Sequence, residues 1–296
     1  MYILLNILIL LIILFLYIHI NFYLTTSNYL EIYEIEFISK ENFEELCNLK
    51  QPLLIKNFIF NENNLIDSFN INNIIDNYGN FDIKLFNKEN TSIPILIDFN
   101  KANTIFINDN SSNYFSEYNN DFLTESSLVK VLSNIDNILR PYGVVNTYYD
   151  IIFGSKSCYN VFKHTLNARN FLYVLDGEIE ITLTIPNNKK YLHIEKDSLN
   201  NEFYSKIDIY NVTNDFLKDY NKIKFMKVKI SKGDLLYIPS YWFYCIKFLV
   251  SDSVILNFKY DTYMSALSIV PELIQSYLQN NNIKNNFLKH YNTIIS

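Results

Sequence analysis

A mainly β fold with flanking helices is predicted by three features of the chain. Glu178–Ile185 alternates strictly, with Glu178, Glu180, Thr182 and Thr184 on one face and Ile179, Ile181, Leu183 and Ile185 on the other. That period of two marks a half-buried strand. Gly233–Tyr244 (GDLLYIPSYWFY) runs from a Gly-Asp turn into an apolar strand, Leu235–Ile238, which Pro239 stops. Phe171–Val174, Ile223–Ile230 and Val254–Tyr260 read as further short strands, at the spacing of a sandwich or barrel.

The 296 residues suffice for one large domain or two modest ones, and 49% hydrophobic with 19% charged residues is a globular composition. Net charge is -6, and Arg140 and Arg169 are the only arginines. No basic patch is present to grip a phosphate backbone, which excludes a nucleic-acid partner. Cys47, Cys158 and Cys245 are far apart and form no CxxC, so they read as buried free thiols.

In chain order, Tyr2–Leu24 comes first. Ile7–Ile18 has no polar residue beyond Tyr17, and the whole stretch reaches the roughly 20 apolar residues that a membrane span requires. No Lys or Arg precedes it and Thr25-Thr26-Ser27 is a weak cleavage site, which favours an uncleaved single-pass N-terminal anchor over a signal peptide. Its flanks carry too few basic residues to set an orientation. Ile35–Ile38 reads as a strand, and Ser39 as the N-cap of a helix through Leu49. Gln51–Asn57 reads as a buried strand, and Asn73–Asn87 as helix, turn and strand. Asn108–Asp121 is polar and non-periodic, a surface loop; Thr124–Leu139 is a helix capped by Ser126 or Ser127. Beyond Ser265 an apolar stripe (Ile269, Leu273, Tyr277) predicts a helix, with a second stretch at Phe287–Ile295.

Gly233–Trp242 closely resembles the second metal-binding stretch of the Jumonji C and related cupin-like 2-oxoglutarate dioxygenases, where "GDxLYIPxxWWH" ends on an iron-binding histidine. That position is Tyr244 here. His164–Phe171 followed by Gly177 is similar to the asparaginyl-hydroxylase-like pattern "HxDxxxNF…G", with His164, Asn170, Phe171 and Gly177 in register. Asn257–Tyr260 is similar to the closing "NFxY" strand. The resemblance covers residues from about 30 to 260 and narrows the fold to a double-stranded β-helix (cupin/jelly-roll) behind an N-terminal transmembrane helix. It divides the chain into an anchor (1–24), an N-terminal helical and strand part (25–158), the β-helix core (159–262) and a C-terminal helical segment (263–296).

Such enzymes hold Fe(II) by two histidines and a carboxylate. The resemblance implies His164 as a metal ligand, but it puts Leu166 at the carboxylate position and Tyr244 at the second histidine. The lysine that would pair with 2-oxoglutarate falls on Ile179. Asn170, Asn257 and Lys259 are the implied cofactor-binding positions, Lys259 standing in as an anion anchor on the face of Asn257. The resulting expectation is a membrane-anchored cupin-like, Jumonji C-like protein without iron catalysis or cofactor, acting as a binding or structural module. The alternative is an active hydroxylase using Fe(II) and 2-oxoglutarate at an atypical site. A protein partner or a homodimer through the C-terminal helices is expected in either case. His164 and Tyr244 are expected to face the barrel mouth together, hydrogen-bonded, with Leu166 helping to fill it.

Overall fold

The computed structural model describes residues 2–36, 39–58, 69–197, 202–279 and 281. Helix α1 (Tyr2–Leu24) is long and apolar enough to cross a membrane, and none of its residues is buried. Strand β1 (Tyr33–Ile35) leads to α2 (Lys40–Asn48), whose N-cap Ser39 accepts from the Asn42 N–H. Then come β2 (Leu53–Ile55), α3 (Ile71–Tyr78), β3 (Asp82–Asn87), β4 (Asn90–Asp98), α4 (Phe99–Asn108) and β5 (Tyr114–Ser116). Helices α5 (Asn120–Glu125) and α6 (Ser133–Leu139) flank a 3-10 turn, Leu128–Leu132.

The remaining strands are β6 (Val144–Gly154), β7 (Lys163–Thr165), β8 (Arg169–Asp176), β9 (Glu178–Thr184), β10 (Ile194–Asp197) and β11 (Glu202–Ser205). A short α7 (Leu217–Tyr220) separates these from β12 (Met226–Ser231), β13 (Leu235–Ile238), β14 (Phe243–Phe248) and β15 (Val254–Thr262). Helix α8 (Tyr263–Ser268) opens with a capping box between Thr262 and Ser265, and residues 270–279 are helical again.

The strands form two sheets. One has nine strands in the order β1-β2-β13-β8-β15-β6-β5-β3-β4, and the other six in the order β10-β11-β7-β14-β9-β12. Leu172, Val174, Leu236 and Ile255 of the larger sheet pack against Ile179, Ile181, Leu183 and Ile246 of the smaller. A second core lies between the helices and the outer face of the larger sheet, through Phe43, Phe99, Phe122, Ile135 and Phe171. Each fully buried Leu or Ile in these layers contributes about 1.5–3 kcal/mol over its exposed state.

The Gly-Asp of the most distinctive stretch has a structural task. Gly233 takes φ +87°. Asp234 accepts from Lys56 Nζ at 3.0 Å, Asn57 N at 3.1 Å and Ser231 N at 3.1 Å, tying the loop after β2 to the β12–β13 turn.

Three expectations need correction. Asn108–Asp121 is not all surface loop, because β5 joins β3 to β6 and buries Phe115, Ser116, Glu117 and Asn119. Thr124–Leu139 is no single helix: Ser127 has φ 61°, and the chain turns there through a 3-10 segment. Nor does the pattern reveal β6 or β14, the partners of β15 and β9. The expected helix at Phe287–Ile295 lies outside the described residues.

Candidate functional site

Register decides which side chains meet inside the sandwich. Tyr244 on β14 pairs directly with Lys163 on β7, so these two share a face. His164, one residue on, therefore points the other way. Its ring stacks on Phe203 at 4.7 Å and meets the edge of Phe243 at 4.5 Å. Nδ1 lies 3.4 Å from the Thr165 carbonyl, and Nε2 has no partner among the described residues. Burial pushes the imidazole down to about 4, so it is neutral at ordinary pH. The expected His164–Tyr244 hydrogen bond is not formed, because a three-residue strand in this register cannot turn both inward. Leu166 is buried just past the end of β7.

Lys163 takes the inward place. Its ammonium, 3% exposed, bonds Glu117 at 2.9 Å, Glu202 at 2.8 Å and the Tyr118 hydroxyl at 2.8 Å. Tyr118 in turn donates to Glu202 at 2.5 Å and lies 2.7 Å from the Tyr204 hydroxyl. Lys259 closes the chain with a short ion pair to the other Glu202 oxygen. Burial works against the charge on Lys163, but Glu117 and Glu202 outweigh it and hold the ammonium well above its ordinary value. Burial likewise opposes ionisation of Glu202, and the Lys163 and Lys259 charges overcome it and hold the carboxyl low. Tyr244 is raised by burial and stays a neutral phenol.

The expected cofactor positions do come together. Asn257 donates to Asn170 Oδ1 at 2.6 Å and to the Phe171 carbonyl at 2.9 Å, and the Asn170 amide lies beside the Tyr244 hydroxyl. Ile179 is fully buried in the core between the sheets.

Above this network a cleft of about 500 Å³ opens, with Lys84, Asp150, Asn257, Lys259 and Asp261 on its walls and Leu273 and Ser276 of the 270–279 helix over one side. Asn257, Lys259 and Asp261 alternate along β15 and so share this face. Asp150 accepts from the Tyr118 and Asn119 backbone N–H groups at 2.8 and 2.6 Å, and burial raises it to about 6. Asp261 is raised by burial too, against hydrogen bonds from the Ala168 backbone and from Asn167, which donates to its Oδ2 at 3.0 Å. Sequence reasoning missed Glu117, Tyr118, Lys163 and Glu202.

Among the described residues no group of three or more His, Cys, Asp or Glu side chains is arranged to hold a metal ion. The inward pair on β7 is Lys163 and Thr165, a cation and a hydroxyl where a ligand pair would be needed. The residues present do not fit an iron centre.

A family model, the cupin-like domain, matches residues 160–266, from just before β7 into α8. The match covers β7 to β15, so this part of the two-sheet core is similar to a cupin-like domain. No curated protein matches the chain.

Proposed function

We propose that this chain is a membrane-anchored protein with a double-stranded β-helix of cupin-like type, which binds a small ligand bearing a protonated amine instead of running iron-dependent oxidation. One observation carries the reading: the ammonium of Lys163 is fixed between Glu117 and Glu202, opposite Tyr244, in the interior where the resemblance would set a metal. A metal ion set beside Lys163 in that interior would be repelled by about 4 kcal/mol per unit charge at 4 Å and an effective dielectric of 20, whereas the amine is placed in the cleft above. The same network argues against 2-oxoglutarate, because its substitute anchor Lys259 is already neutralised by Glu202. The cleft and its floor hold Lys84, Lys163 and Lys259 against Glu117, Asp121, Asp150, Glu202 and Asp261, an excess of acid suited to a cation. Asp261, on the cleft wall, is the carboxylate that would receive it.

The test is thermal melting of the full chain in detergent micelles with spermidine, lysine amide, Mn(II), Fe(II) and 2-oxoglutarate added separately. The amines raise the midpoint saturably, and Asp261→Asn removes that response; the metals and 2-oxoglutarate leave the midpoint unchanged. Stoichiometric iron in the purified protein, with succinate released from 2-oxoglutarate, would overturn the proposal.

A further inference from the structure

The stretch after β15 has two faces with different partners. Ser265, Ile269 and Ser276 are buried, and Leu273 and Ser276 border the cleft. On the other side, apolar side chains recur every three or four residues and stand in the open: Tyr263 (63% exposed), Leu267, Val270, Ile274 and Tyr277. Tyr142 and Val145, beside the Gly143 carbonyl that binds the Tyr263 N–H, extend this surface. Glu272 is the only charged residue from 263 to 279.

What covers this face is set by its neighbour. Helix α8 packs against α1, and Tyr23 near the end of α1 lies 2.9 Å from the Thr262 hydroxyl. The half-buried positions in the second half of α1 are Leu16, His19, Ile20 and Tyr23, one face of its last two turns. Lys50 fastens the same end, donating to the Phe22 carbonyl and, at 2.7 Å, to the Thr25 carbonyl. The hydrocarbon core of a bilayer is about 30 Å thick and takes about 20 helical residues. With α1 spanning from Tyr2, that length ends near Asn21, inside the segment α8 touches. The exposed stripe therefore sits at the depth of the headgroups, where Tyr rings and aliphatic chains are at home.

We infer that residues 263–279 lie in the bilayer interface as an in-plane apolar foot beside α1, so that one side of the cleft is built from a helix that touches lipid. The inference rests on the reading of α1 as a membrane anchor. With a single charged residue in the stretch, the contact depends on apolar burial and not on anionic lipid.

The experiment uses the full chain in nanodiscs of phosphatidylcholine with a bimane label at Leu267→Cys or Ile274→Cys. Label goes to the new thiol, because Cys47, Cys158 and Cys245 are all buried. The control is Asp252→Cys, two residues before β15, whose length sets it about 30 Å from the 263–279 stretch at 3.4 Å per residue. Brominated lipid quenches most of the emission at 267 and 274 and none at 252, aqueous iodide shows the reverse, and replacing phosphatidylcholine by anionic lipid changes neither. Labels at 267 and 274 that iodide reaches and lipid bromine does not would overturn the inference. So would labels shielded only in discs holding two copies, which would make the face a dimer contact. Carbonate extraction separates the two readings: a chain kept in the pellet with iodide-accessible labels loses the foot alone, whereas a chain released intact loses the anchor and the foot with it.

Discussion

Replacing Lys163 by Met would leave Glu117 and Glu202 inside the protein without the cation between them, with side chains 5% and 1% exposed. Breaking a buried ion pair from one side costs about 3–5 kcal/mol, mostly as desolvation of the charge left behind. Glu202 keeps Lys259, and among the described residues Glu117 keeps the Asn160 amide at 3.1 Å, so the loss falls mainly on Glu117 and lies near the lower end. For a domain of this size a loss of about 3 kcal/mol moves the midpoint by about 6–12 °C. Lys163→Met with Glu117→Gln removes the stranded charge and recovers most of that loss. The pH dependence has a definite sign. In the parent, Glu202 is held below its unfolded value, so its stabilisation is complete above that value and drains away as pH falls. In the variant a stranded carboxyl is raised by burial instead, so its stability is greatest in acid and lost as pH rises. The deficit is therefore largest at neutral pH and narrows on acidification. Melting curves of the full chain in micelles from pH 4.5 to 8 measure it. A Lys163→Met protein as stable as the parent at every pH would refute the view that this ammonium organises the interior.

Two further expectations concern single residues. The His164 ring, at about 4 when folded, contributes stability that is complete above its unfolded value near 6.5 and drains away as pH falls through the folded one, a loss of about 2 kcal/mol by pH 5. Asp150, raised to about 6, acts in the opposite sense, so the readout is the difference between the parent and His164→Phe. That difference should swing toward the variant on acidification, and parallel pH curves would contradict the assignment. Gly177→Ala and Gly233→Ala form a matched pair: both glycines have positive φ, but a Cβ at Gly177 would lie 2.5 Å from Ser253 Oγ and 2.7 Å from its Cα, while Gly233 has nothing within 4 Å. Denaturant titration should show about 1–2 kcal/mol lost at Gly233 from the backbone alone and more at Gly177; equal losses would mean that the Ser253 contact gives way freely.

The parts legible in the sequence were those with local signatures. The alternation of Glu178–Ile185 became β9 with its isoleucines inward, Ser39 capped α2, and Leu235–Ile238 became β13 residue for residue. The interior was not legible, for two reasons. Glu117 and Tyr118 lie in a polar run without periodicity, and their pairing to β7 and β11, with 45 to 84 residues between partners, is not visible in it. On β7, three residues carry no alternation of their own, so the side to which His164 points could not be read from that strand. The pairing of Lys163 with Tyr244 sets that strand, and pairing is not written in either strand alone. Asn257 and Lys259 could be placed on one face because β15 is long and its alternation fixes a face, and Asn170 meets them from β8 across the strand pairing.

The place of β2 bears on how this chain is made. Leu53–Ile55 sits between β1 and β13, pairing with Leu235–Tyr237, and the Asp234 clasp closes only when both are present. A strand from the first fifth of the chain thus waits for a partner nearly two hundred residues downstream. Such non-local pairings raise contact order and slow folding. Until β13 leaves the ribosome, β1 and β2 carry unpaired edges, which makes this interval the point in synthesis where aggregation and chaperone capture act.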